Sequence, residues 1–205
     1  MLDDRWIRVR LGLQVYGAAV LFQLVLVVTL GVVVALLGPD HAHDLLLVVT
    51  HVLRPLAAIA GLVGLMMFAR VPEEAAARRS SAAAVRWSGV ALLLVPVVLL
   101  LPRPLFAVAE GLRTGLNVLA AVALLAALRE VGRFLRADDL YFRAEELRIG
   151  VYFLAGLAVL TAGLMAAVGL VGTLLVLAYP LALSVVSVFY VLIVLRGAQA
   201  IGERL

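Results

Sequence analysis

The chain has 205 residues, 65% of them hydrophobic, with a mean hydropathy of +1.17, a net charge of +4 and no cysteine. A soluble domain of this length is about half apolar, so the surplus points to lipid as solvent and leaves no room for a second, soluble domain. Absent cysteine excludes disulfides, thiolate nucleophiles and cysteine-ligated metals, and basic residues that are all arginine and lie beside apolar runs report membrane orientation and not nucleic-acid binding.

The first apolar run, 11–37, is longer than the hydrophobic region of a signal peptide and ends in Gly38-Pro39-Asp40, not in a small-residue cleavage site. It is expected to be an uncleaved first span. A helix needs about 20 apolar residues to cross a hydrocarbon core about 30 Å thick. Six segments approach that requirement and predict an all-α, polytopic transmembrane helical bundle, with spans at 12–37, 45–69, 86–101, 105–128, 149–171 and 174–196. The third is short, interrupted by Pro96 and stopped by Pro102 and Pro104.

Arginines divide unevenly between the connections. The N-terminal tail, the 70–86 loop, the 129–148 loop and the C-terminal tail hold 3, 4, 5 and 2; the intervening connections hold 0, 2 and 0, and Arg54 lies inside a span. The positive-inside rule then places both termini in the cytoplasm and the chain in a bacterial cytoplasmic (inner) membrane. Five carboxylates in 129–148 weigh little in that rule.

The second span opens on a polar run: Asp40, His41, His43 and Asp44, then His51 and Arg54-Pro55. Asp44, His51 and Arg54 share about a quarter of the helix circumference. Counted from Leu45, Arg54 lies about 14 Å deep; counted back from Arg70, it lies only about 6 Å below the outer edge, within snorkelling reach. In the fourth span Glu110, Arg113 and Asn117 recur on one face in the outer part of the membrane. Charge inside a membrane needs a partner, so the two stripes are candidates to face each other, Arg54 pairing with Glu110 or Asp44. The bland alternative is two separate interfacial stripes in contact with headgroups and water. His41 and His43 are weak metal candidates, because no further ligand completes a recognisable site; Asp40 and Asp44 read more simply as a cap and a first-turn charge. No cofactor is expected.

The stretch 129–148 is the longest polar interruption. Arg129, Arg133 and Arg136 fall at helical spacing, which extends the fourth span beyond the membrane. Asp138-Asp139 reads as a break and N-cap, and Glu145, Glu146 and Arg148 lead into the fifth span. Arg133, Arg136 and Arg143 are candidate docking residues for a protein partner. The run LREVGRFLRADDLYFRAEELRIG, 128–150, resembles the connector of a family of small bacterial multi-span membrane proteins without a settled activity. Phe142 and Leu147-Arg148-Ile149-Gly150 carry the resemblance; the segment between them is about one helical turn shorter than that pattern, and its Asn is missing. The resemblance implies fold and location only.

The last two spans are expected to form a hairpin through Gly172-Thr173. An Ala158, Ala162, Ala166 stripe permits close packing, and a kink is expected at Tyr179-Pro180. Glu73-Glu74-x-x-x-Arg78 resembles the first motif of the intramembrane CAAX-type proteases, but it lies in a loop and every histidine precedes it. There is no GxGxxG or P-loop pattern. Two functional expectations follow. One is a non-catalytic assembly or sensory subunit, partnered by lipid and by another protein or a second copy. The other is a small-solute or ion transporter with an outward vestibule built from Asp44, His51, Arg54, Glu110, Arg113 and Asn117.

Overall fold

The computed structural model describes residues 4–38, 43–100, 103–167 and 169–204; the side chains of 97–100, of 157–184 and of some other helix residues, His43 and Glu110 among them, lie outside that description. The described residues are helical with no strand. Helix α1 spans Asp4–Leu37, α2 His43–Val48, α3 Arg54–Phe68, α4 Arg78–Leu100, α5 Arg103–Phe134, α6 Asp138–Ala167 and α7 Gly169–Gly202. A π-helical stretch, Val49–Leu53, joins α2 to α3, and a short 3-10 turn, Glu73–Ala75, precedes α4. Among these are four stretches long and apolar enough to cross a membrane: Asp4–Leu36, Val49–Phe68, Gly111–Phe134 and Val185–Gly202.

α1 packs on α3, α3 on α4, α4 on α5, α5 on α6 and α6 on α7, and α7 returns to α1, which closes the set. Three contacts fix α1 antiparallel to α7. Gly17 lies against Val194 and Leu195, Gly197 against Leu13, and Gly202 against the Arg10 guanidinium. Arg10 thus brings a cation to the last turn of α7, where the helix dipole favours one. Both termini therefore sit at the arginine-rich end of the bundle.

The best-buried side chains gather at that same end. Leu13, Phe68, Leu124, Leu128, Leu140, Val194 and Ile201 are fully buried, and Trp6 stacks on Phe134 with ring centroids 5.6 Å apart. Toward the opposite end, large apolar side chains such as Val28, Leu36, Ile59, Leu93 and Phe153 are exposed. In lipid such a surface is solvated and gives helices no hydrophobic reason to associate, so small residues and close backbone packing must hold them. The α1–α3 crossing meets that need at Gly12, Gly61 and Gly64, where a Cβ on Gly64 would stand 2.6 Å from the Tyr16 backbone nitrogen.

Several boundaries differ from the sequence expectation. α4 starts at Arg78 and runs unbroken past Pro96 to Leu100, because the Ser80–Val85 segment, rich in alanine, is a strong helix former that joins the apolar stretch. Pro96 removes the bond to the Leu92 carbonyl without ending the helix. The break between α5 and α6 falls at Leu135–Ala137, not at the aspartates. Arg136 takes a left-handed conformation, φ 53°, while Arg136 N–H donates to the Arg133 carbonyl and Ala137 N–H to the Gly132 carbonyl. That is a Schellman ending of α5. Asp138 and Asp139 then occupy the first turn of α6 as charges favoured by its dipole, and are not its cap. Gly172 and Thr173 lie within α7 and not in a turn. The Ala158, Ala162, Ala166 stripe and the Tyr179-Pro180 side chains lie outside the described residues.

Candidate functional site

The polar residues of the second span sit where its helix changes pitch. Pro55 has no N–H to donate to the His51 carbonyl, and its ring crowds that group. The backbone responds by widening into a π turn over Val49–Leu53, and Arg54 N–H donates to the Val49 carbonyl. π turns of this kind occur often at functional sites. His51 is exposed and its Nδ1 lies 3.1 Å from the Leu47 carbonyl, so its ring bonds its own helix. Asp44 is also exposed. Arg54 is half-buried and shares the α3 face of Ala57, Gly61, Leu65 and Phe68, the face turned into the bundle.

On α5, Arg113 is half-buried and Asn117 exposed. Their positions continue the register of Leu116, Ala120 and Leu124, which are buried farther along the helix. The stripe thus lies on the inward side of α5 at the more open end of the bundle. Glu110 occupies the same register, but its side chain lies outside the described residues, as do those of His41 and His43. α3 and α5 are not a packed pair among the described residues: α4 packs on both. The two stripes are therefore both on inward faces with a helix between them, and the expected Arg54–Glu110 contact falls outside the described residues. No group of three potential metal ligands occurs among the described residues.

The opposite end carries charges that pair within 129–148 and, through Arg196, with α7. Arg129 bonds Glu130 at 2.6 Å and Glu145 at 3.3 Å, and Arg148 bonds Glu145 at 2.6 Å, tying α5 to α6. Arg196 of α7 donates through Nε to Asp139 at 2.9 Å and through Nη1 to Glu203 at 3.0 Å, and Gln199 also donates to Glu203. The Arg196 hydrogen bond, above all, holds the Asp139 carboxyl below its ordinary 3.8. Arg133, Arg136 and Arg143 are all exposed. Between the ends of α5 and α7 an open cleft of about 340 Å³ is lined by Phe134, Leu135, Arg136 and Arg204. In the sequence Arg204 reads only as an orientation charge. Nothing in the spacing signalled that the chain's end folds back beside Phe134.

One further polar contact crosses the bundle. The Tyr16 and Tyr190 hydroxyls lie 2.8 Å apart, with the rings edge to face. Residues 174 positions apart offer no local pattern from which to predict it.

No protein family, curated protein or solved structure matches this chain.

Proposed function

We propose that the chain is a six-span protein of a bacterial cytoplasmic membrane, with both termini in the cytoplasm, acting as a non-catalytic assembly or sensory subunit. It docks another protein on its arginine-rich face through Arg133, Arg136 and Arg143. The connector resemblance at 128–150 is in keeping with that location. The observation that carries the reading is the contrast between the two ends. The arginine end is filled by Leu13, Phe68, Leu124, Leu128, Leu140 and Val194, all fully buried, yet its connector arginines are exposed. A filled end opposes conduction; exposed arginines suit recognition of an acidic partner. The test is co-purification of the full-length protein from its membrane. A partner lost on combined Arg133→Gln, Arg136→Gln and Arg143→Gln substitution is expected, and retention at the wild-type level contradicts docking there.

A second reading has one observation in its favour. Asn117 is exposed, although its register is that of the inward face, and Arg54, which follows the π turn, lies on an inward face too. This suits an outward vestibule formed by Asp44, His51, Arg54, Glu110, Arg113 and Asn117 in a solute- or ion-handling protein. The chain has no cysteine, so Asn117→Cys gives a single reporter. Labelling by a membrane-impermeant maleimide added outside intact cells supports a vestibule, and complete protection opposes it.

A further inference from the structure

We propose that the cleft between the ends of α5 and α7 binds the headgroup of an anionic phospholipid, its phosphate held by Arg136 and Arg204. Four observations meet there. First, Arg136 and Arg204 line the same open cleft of about 340 Å³. Second, neither arginine carries an ion pair among the described residues, although carboxylates lie close in the chain. Asp139, three residues after Arg136, and Glu203, beside Arg204, are both held by Arg196 at 2.9 and 3.0 Å. Arg196 thereby engages these two carboxylates and leaves Asp138 as the exposed acidic group in sequence beside Arg136, while both guanidinium groups stay directed to one surface. Arginine forks match phosphate oxygens in geometry and charge.

Third, the cleft is amphipathic. Phe134 is 43% exposed and is steadied from behind by its stack on Trp6. Phe134 ends a helix stretch long and apolar enough to cross a membrane. An aromatic wall beside two cations at such a helix end fits a headgroup with its glycerol attached better than it fits a free anion.

Fourth, Arg136 occupies the left-handed position that closes α5, with φ 53°. Glycine takes that conformation freely, and a side-chain-bearing residue does so at a cost. The chain holds a long cation where the backbone favours glycine, and with Leu135 it is one of two turn residues that line the cleft.

The inference rests on the chain being a membrane protein with this end at the headgroup level, and it assigns Arg136 to the lipid, leaving Arg133 and Arg143 to the proposed protein partner. It does not depend on which leaflet that is. Its test uses full-length protein in detergent, stripped of lipid, titrated with phosphatidylglycerol or phosphatidylcholine, and read by native mass spectrometry. Phosphatidylglycerol is expected to bind preferentially, and Arg204→Gln and Arg136→Gly each to weaken it about fivefold, as one arginine at a lipid surface is worth. Arg136→Gly is expected to melt no lower than wild type, which separates lost binding from lost fold. Arg79→Gln, at an exposed arginine that does not line the cleft, is the control for charge alone. Equal binding of the two lipids, undiminished phosphatidylglycerol binding in both cleft variants, or an equal loss in Arg79→Gln overturns the proposal. Inorganic phosphate that binds as tightly as phosphatidylglycerol overturns the lipid as occupant and leaves a free-phosphate site. Reporter fusions that failed to place this end in the cytoplasm would remove the orientation proposed above without touching the binding result.

Discussion

The backbones of α1 and α3 meet at Gly12 and Gly64. A Cβ on Gly64 would stand 2.7 Å from the Gly12 carbonyl oxygen, and one on Gly12 would stand 2.6 Å from that of Gly64. Neither neighbour is a flexible side chain that could turn aside, so the helices must separate. Gly12→Ala and Gly64→Ala are each expected to destabilise the bundle by about 1–3 kcal/mol. Gly89→Ala, with nothing within 4 Å of its Cβ, is expected to be neutral or stabilising by a few tenths of a kcal/mol. Unfolding in mixed detergent measures all three. Equal effects at Gly64 and Gly89 would contradict the crossing.

Tyr16 and Tyr190 bond each other across α1 and α7. Removing either hydroxyl leaves the other without its partner, so Tyr16→Phe and Tyr190→Phe are each expected to cost about 1–2 kcal/mol. The double variant is expected to cost little more than one single change, because both polar groups are then gone. A double-mutant cycle in the same unfolding assay checks this; additive losses would mean that the hydroxyls do not interact.

Acid is expected to loosen α6 from α7 at one identifiable group. Asp139 is held below its ordinary 3.8, first by its hydrogen bond from Arg196 and also by the charges of Arg196 and Arg143. A lowered carboxylate value means that the ionised form is favoured by folding. Its stabilisation is complete above 3.8 and disappears as pH falls through the folded-state value beneath it. Both partners are partly exposed, so the effect is small and weakens with salt. The gap in melting temperature between wild type and Asp139→Asn should narrow as pH drops below 3.8. A gap that stays constant or widens there would exclude the ion pair as its cause.

What could be read from the chain, and what could not, follows from the range of each interaction. Apolar length and arginine spacing act locally, and they indicated helices through 12–37, 45–69 and 105–128 and the run of α5 past Leu128. Pro96 misled because a proline within a strongly helical alanine- and leucine-rich segment costs one bond and not the helix. Asp138-Asp139 suggested a cap, but the left-handed Arg136 closes α5 one turn earlier, and arginine is not the residue expected there. The polar stripes at Arg54 and Arg113–Asn117 were visible because charge in an apolar run is anomalous. The intervening position of α4 was not, since neighbour order around a ring is a tertiary property. The Tyr16–Tyr190 bond, the Gly12–Gly64 crossing and the Arg136–Arg204 cleft all join distant parts of the sequence. Gly61 and Gly64 alone left a trace, as small residues one helical turn apart.

Orientation is the claim on which the docking face and the outward stripe both depend. Reporter fusions after position 42 and within 129–148, compared in intact cells, test it directly. The account predicts an external signal for the first and a cytoplasmic signal for the second; reporters on the same side of the membrane would contradict it.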